Sequence, residues 1–139
     1  MADRIITVFG ATGAQGGGLA RAILARPESG FTVRAVTRKP DSEAGRALAQ
    51  AGAEVVAADM DDAASMQRAM RGAYGAYCVT NFWEHFSPAK ELAQAGAMAD
   101  GAARAGVQHV IWSTLEDTRT FFAPDGKRMP VLMGKYNVP

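Results

Sequence analysis

The sequence predicts an α/β protein, a doubly wound parallel sheet with strand order 3-2-1-4-5. Short runs rich in Val, Ile or aromatic residues alternate along the chain with alanine-rich stretches of helical periodicity. Glycine or proline ends each helical stretch, at Pro27, Gly52, Gly72 and Gly106. Repeated strand-helix-strand units with right-handed crossovers make the strands parallel and reverse their order beside the first strand.

Five strands and four helices are predicted in alternation. The strands are residues 5–9, 32–37, 54–57, 76–79 and 107–113. The helices are residues 17–25, 42–51, 63–70 and 88–105. A ligand of such a sheet lies at the carboxyl ends of strands 1 and 4, where the order reverses. The junctions expected to form a site are therefore residues 10–16, 37–39, 59–62 and 80–82.

Composition describes one ordinary globular domain. The chain has 139 residues, 48% of them hydrophobic, and a net charge of +1. No basic run is longer than Arg38-Lys39, so neither nucleic acid nor a membrane surface is an expected partner. Residues 1–4 lack signal-peptide features, and a cytoplasmic location is expected. The single cysteine, Cys78, lies in an apolar run and is expected to be buried.

The first junction is a glycine-rich turn between a predicted strand and a predicted helix. It reads Gly10-Ala11-Thr12-Gly13-Ala14-Gln15-Gly16. Gly10 suits a tight turn, Gly13 leaves room for a pyrophosphate, and Gly16 lets the helix lie close to the strand. The N–H groups at the helix start favour phosphate. Although such a motif also forms ordinary loops, the strand before it and the helix after it indicate a dinucleotide site.

The second junction indicates which dinucleotide is preferred. An NAD site places an acidic residue at the end of strand 2, but this chain has Thr37-Arg38-Lys39 there. The Arg38 guanidinium can form a forked pair with a phosphate, and Lys39 adds a second positive charge. NADP is therefore the predicted cofactor and NAD the less favoured one. The alternative is a solvated basic turn.

The third junction, residues 59–62, is acidic. Asp59 and Met60 are expected to flank the adenine, the aspartate through the exocyclic amine. Asp61 is expected to cap the helix 63–70, with Asp62 adding a favourable interaction with the helix dipole. No His or Cys lies nearby, so no metal site is predicted.

The fourth junction combines polar and aromatic groups, Thr80-Asn81-Phe82-Trp83. Its polar groups are expected to bond the cofactor ribose. Trp83 and Phe86 either form a wall of the nicotinamide pocket or pack as core residues under a loop. His85 and His109 are expected to be structural rather than catalytic.

Five segments together are more specific than the glycines alone: residues 8–17, 36–38, 52–56, 79–84 and 112–116. Their combination resembles the NmrA-like family, an atypical branch of the short-chain dehydrogenase/reductase superfamily, and within it the NADP sensors. The resemblance implies a Rossmann fold and NADP binding by residues 10–15, Arg38 and residues 80–82. It also implies regulation, in which the cofactor's redox state changes association with a protein partner or a second copy.

Members of that family are about twice as long as this chain, within the usual range for a two-domain protein. The resemblance therefore implies an NAD(P)-binding domain at residues 1–115 and a loop or tail at residues 116–139. The chain is expected to be truncated, without the C-terminal strands and smaller domain that would cover the nicotinamide.

Reductases of this superfamily use a tyrosine with a lysine four residues later as the proton donor. Tyr74 and Tyr77 have other residues at that distance, and the partner of Tyr136 would lie beyond the last residue. Ser113 and Thr114 offer only hydroxyls at the end of strand 5, so no catalytic residue is predicted.

Two functions remain open from the sequence. The first is an NADP sensor or regulator without turnover. The second is an NAD(P)H-dependent reductase of a quinone or a small carbonyl compound. A third outcome is a fragment without activity that associates through the exposed edge of strand 5.

Overall fold

Five parallel strands form one sheet in the predicted order β3-β2-β1-β4-β5. The structure, a computed structural model, describes residues 4–115. The strands are β1 (Arg4–Val8), β2 (Phe31–Thr37), β3 (Glu54–Ala57), β4 (Gly75–Cys78) and β5 (His109–Trp112). Because β1 pairs with both β2 and β4, the strand order reverses at β1 and leaves a crevice at its carboxyl end.

Helices cover both faces of the sheet. They are α1 (Ala14–Leu24), α2 (Glu43–Gln50), α3 (Ala63–Met70), α4 (Phe82–His85) and α5 (Pro88–Ala105), with one turn of 3-10 helix at Pro27–Ser29. The 3-10 turn and α4 were not predicted, since neither is long enough to show a helical period. No helix of the described part is both long and apolar enough to cross a membrane.

The first helix begins at Ala14, three residues before the predicted start. Gly13 precedes it in an extended conformation and accepts a hydrogen bond from the Gly17 N–H at 2.9 Å. The glycine turn itself therefore forms the first turn of α1. This places the free N–H groups of α1 directly above β1.

The core has two layers, one on each face of the sheet. The layer under α3 and α5 contains Phe9, Val36, Met66, Ala69, Met70, Ala76, Cys78, Met98 and Ala102. The layer under α1 and α2 contains Val8, Ala11, Ala20, Val33, Ala35, Leu48, Ala53 and Tyr77. Cys78 is fully buried, as predicted, and burial raises the pKa of its thiol to about 11. That thiol is protonated at neutral pH and unreactive.

Strand β5 lies at the edge of the described sheet and pairs with β4. Val110 and Ile111 are exposed on it, so strand 5 forms an exposed edge of the described sheet as predicted, while the association expected through that edge stays a prediction. The residues predicted to form a loop or tail, 116–139, lie outside the described part of the chain.

Arg34 in β2 ties the sheet to the end of α3. Its guanidinium donates to the carbonyl oxygens of Ala69 at 3.0 Å and Arg71 at 2.8 Å, and to Glu54 at 2.8 Å. These carbonyls lie at the negative end of the α3 dipole, where a cation is stabilising. The side chain is only 12% exposed, so little water competes for these bonds.

We expect Arg34→Met to lower the free energy of unfolding by about 2 kcal/mol. The Arg71 carbonyl and the Glu54 carboxylate lose their donor, and the Ala69 carbonyl keeps only the Thr7 hydroxyl. Urea denaturation followed by circular dichroism measures the change. Arg46→Met, on the exposed face of α2, is the control and should change it by less than about 0.5 kcal/mol. Equal losses in the two variants would show that the Arg34 bonds do not hold α3.

Candidate dinucleotide-binding site

The glycine turn has the geometry that a phosphate-binding turn requires. Gly10 has a positive φ of +62°, a region that favours glycine, and the Gly13 N–H donates to its carbonyl at 2.9 Å. A Cβ on Gly16 would lie 2.7 Å from the Phe9 carbonyl oxygen and closer still to that of Gly10. The close approach of helix to strand predicted for Gly16 is therefore confirmed.

The start of α1 faces open space above β1. Gly13 offers no side chain to cap the helix, and the first turn of α1 contains no acidic residue. Thr12 and Ala14 are exposed there, whereas Ala11 is buried in the core. Unpaired N–H groups and the positive end of the dipole are features that favour an anion at this point.

Gln15 links the glycine turn to the two strands beside it. Its Oε1 accepts from the Tyr77 hydroxyl at 2.8 Å and from the Ser113 hydroxyl at 2.7 Å. Since both hydroxyls donate their protons to Gln15, each can only accept a further hydrogen bond, and the Gln15 amide nitrogen remains a donor. Sequence reasoning did not connect these residues, because they come from three separate elements.

Arg38, at the end of β2, is already paired in the structure. Its Nη1 donates to Oε1 of Glu84 in α4 at 2.6 Å. This hydrogen bond and the charge of Glu84 raise the pKa of Arg38 above its ordinary value, and the charges of Asp59 and Asp61 raise it further. Lys39 is exposed beside it. Two cations thus lie where the sequence predicts the adenosine 2'-phosphate, and a carboxylate holds one of them.

The acidic junction after β3 differs in part from its prediction. Asp62, not Asp61, caps α3, and its Oδ1 accepts from the N–H groups of Ala64 and Ser65 at 3.0 and 3.2 Å. The capping prediction for Asp61 is wrong because the cap is the residue immediately before the first helical residue, Ala63.

Asp61 instead connects the junction to α5. Its carboxylate pairs with Lys90 at 2.8 Å and accepts from Gln94 at 2.7 Å. The hydrogen bond from Lys90 lowers the pKa of Asp61 most, and the bond from Gln94 lowers it further. The pairing of Lys90 with Asp61 also raises the pKa of Lys90. Asp59 is exposed and accepts from the Asp61 N–H at 2.9 Å, and Met60 is half-buried. Across residues 4–115, no group of three or more His, Cys, Asp or Glu side chains could hold a metal ion.

Sequence reasoning missed a polar cluster between the end of β4 and the start of α5, formed by Thr80, His85 and Glu91. The Thr80 hydroxyl donates to Glu91, in the first turn of α5. The other oxygen of Glu91, Oε2, lies 3.7 Å from Nε2 of His85, and both atoms are buried without a hydrogen-bond partner in the described residues. Nδ1 of His85 accepts from the Ser87 N–H at 3.0 Å. Because its proton is donated to Glu91, the Thr80 hydroxyl can only accept a further hydrogen bond.

The aromatic residues of α4 do not pack into the core as a group. Phe82 is buried, but Trp83 and Phe86 are 54% and 50% exposed, with their ring centroids 5.7 Å apart. The core-packing alternative for Trp83 and Phe86 is therefore wrong, because the short helix projects them away from the sheet. Asn81, which precedes α4, is exposed.

The structure assigns no catalytic position to His109. It is exposed at the start of β5, at the amino end of the sheet, and its ring stacks 6.5 Å from that of Tyr74. The crevice lies at the opposite, carboxyl edge.

Comparisons with known proteins agree with this architecture. The sequence profile described as the NmrA-like family matches residues 2–138. An NmrA-like family domain-containing oxidoreductase, FrzB of Cladobotryum sp, is 44% identical over 114 residues, which cover 79% of this chain and 33% of FrzB. The chain spans about a third of the length of the curated relatives it matches.

Two solved structures with bound dinucleotides share the fold. NmrA, a negative transcriptional regulator in complex with NAD, has 26% sequence identity and a TM-score of 0.71, over 89% of this chain and 37% of NmrA. Triphenylmethane reductase of Citrobacter sp., complexed with NADP(H), has 27% identity and a TM-score of 0.71, over 86% of this chain and 40% of the reductase. Both are proteins that this chain is similar to, and one is a regulator while the other is a reductase.

Proposed function

Because the chain belongs to the NmrA-like family, we propose that it is the part of an NmrA-like oxidoreductase that binds a nicotinamide dinucleotide, with NADP preferred. The observation that carries this proposal is the glycine turn, where Gly10 and Gly16 bring an uncapped helix start to the carboxyl end of β1. The names of the curated relatives and the dinucleotides in the similar structures support it.

In this proposal each junction binds one part of the cofactor. The backbone of residues 10–16 holds the pyrophosphate, and Arg38 with Lys39 holds the 2'-phosphate. Asp59 and Met60 flank the adenine. Residues 80–82 contact the ribose and nicotinamide, with Thr80 accepting a hydrogen bond because its own proton is donated to Glu91. The domain comprises residues 1–115.

The bound dinucleotide would supply a hydride, and this chain's residues would hold the dinucleotide in place. The network of Gln15, Tyr77 and Ser113 joins the start of α1 to the carboxyl ends of β4 and β5. Two exposed aromatic residues, Trp83 in α4 and Phe86 just after it, form an apolar wall beside the end of β4 that limits water. The carbonyl or quinone reduced by this hydride would bind in the crevice beside the nicotinamide.

A second candidate is an NADP-responsive regulator without turnover. Two observations favour it: no tyrosine of residues 4–115 has a lysine four positions later, and α4 exposes two aromatic side chains suited to a protein partner or a second copy. A cytoplasmic location belongs to both candidates. Oxidation of NADPH in the presence of quinones favours the reductase. An oligomeric state or partner association that changes with NADP, without turnover, favours the regulator.

Isothermal titration of NADPH, NADP, NADH and NAD against the 139-residue chain tests the binding proposal. We expect the phosphorylated forms to bind more tightly, and Arg38→Ala to weaken them by about tenfold to a hundredfold because a charge-assisted phosphate contact is lost. Arg38→Ala should leave NAD binding within about twofold.

The matched control is Arg26→Ala, which removes the same charge from an exposed position beyond the far end of α1. It should leave all four affinities unchanged. Equal weakening of NAD and NADP by Arg38→Ala would contradict the assignment of Arg38 to the 2'-phosphate. Absence of binding to any dinucleotide would contradict the proposed function.

A further inference from the structure

Arg38 and Glu84 pair across the mouth of the crevice. Arg38 follows β2, whereas Glu84 lies in α4 after β4. The two residues are 46 positions apart in sequence, so the pair links separate elements of the fold. The Nη1···Oε1 distance is 2.6 Å, and the two side chains are 61% and 47% exposed. The contact is therefore close, yet open to water and to an incoming ligand.

The position of Glu84 is set by the anchoring of α4. Phe82 is buried, the Glu84 N–H donates to the Asn81 carbonyl at 3.2 Å, and the ring nitrogen of His85 accepts from Ser87. These contacts fix the short helix on both sides of Glu84. Its carboxylate is thus presented to Arg38 by a held backbone rather than by a free loop.

The charges around Arg38 are mostly negative. Glu84 contacts it, and Asp59 and Asp61 also act on it, although Lys90 already neutralises Asp61. A 2'-phosphate that takes the Nη1 of Arg38 displaces the Glu84 carboxylate, and one that pairs through the other guanidinium N–H groups remains close to that negative charge. The 2'-hydroxyl of NAD carries no charge and requires no such displacement.

We propose that Glu84 sets the discrimination between NADP and NAD by competing with the adenosine 2'-phosphate for Arg38. This inference rests on the proposed dinucleotide binding. Glu84 lowers the affinity for NADP and leaves the affinity for NAD unchanged. The preference for NADP is therefore weaker than it would be with Arg38 and Lys39 alone. Since exposed ion pairs are weak, the expected effect is about threefold to tenfold.

Titration of the 139-residue chain carrying Glu84→Gln with NADP and NAD tests this inference. The amide keeps the shape of the side chain but loses the charge. We expect the Kd for NADP to fall by about threefold to tenfold and that for NAD to change by less than about twofold. Glu28→Gln, which makes the same charge change in the 3-10 turn after α1, is the control and should alter neither Kd.

A double variant separates competition from a general change in charge. In an Arg38→Ala background, Glu84→Gln should improve NADP binding much less, because no guanidinium remains to be released. An equal improvement with and without Arg38 would overturn the competition. Circular dichroism melting curves of each variant check that the fold is retained.

The two proposals fail in different ways. If the parent chain binds NADP through Arg38 and Glu84→Gln leaves that affinity unchanged, only the role of Glu84 is refuted. If the folded parent chain binds no dinucleotide, both proposals are refuted.

Discussion

Replacing Gly16 with alanine is expected to cost on the order of 3 kcal/mol of folding free energy and to abolish most dinucleotide binding. The added Cβ would meet the backbone carbonyls of Phe9 and Gly10, which cannot rotate away as a flexible side chain could. Helix α1 must move off β1, and its N–H groups move with it. Differential scanning calorimetry should show a melting temperature lower by about 10 °C, and titration should show NADP binding weakened by at least about tenfold.

Gly18→Ala is the matched control for this prediction. Gly18 lies two residues later on the same helix, and a Cβ there would meet no described atom within 4 Å. We expect it to stabilise the protein by about 0.5–1 kcal/mol, because alanine is the better helix former. A Gly16→Ala variant as stable as the parent would show that the helix is not held against the strand.

Met98→Ala is expected to lower the free energy of unfolding by about 3 kcal/mol. Met98 is fully buried in the core layer between the sheet, α3 and α5, so truncation leaves a cavity among Met66, Met70 and Ala102. Urea denaturation measures the loss. NADP affinity of the folded fraction should also fall, because α5 carries Glu91, the partner of Thr80.

Leu92→Ala tests the same helix from its outer side. Leu92 is 75% exposed in α5, and its truncation should change stability by less than about 0.5 kcal/mol. If Met98→Ala and Leu92→Ala lower the free energy of unfolding equally, α5 does not pack on the sheet through the face that carries Met98.

The fold could be predicted because its signals are local. Apolar runs such as Ile5 to Val8 mark buried strands, and helical periodicity marks the connections. Right-handed crossovers, together with a glycine-rich turn after the first strand, then favour the strand order that is observed. The glycine turn is equally local, since a positive φ at Gly10 and close packing at Gly16 each demand a glycine whatever the rest of the chain does. The sequence by itself thus determined the sheet, its crevice and the turn that faces it.

The partners of the polar side chains were decided by the tertiary structure. Arg38 with Glu84, Asp61 with Lys90, and Gln15 with Tyr77 and Ser113 each join residues that are distant in sequence. Such pairs depend on strand register and on how far each helix projects past the sheet, and no local period encodes either quantity. Charge type alone places two cations at the end of β2, but only the folded chain brings a carboxylate against one of them.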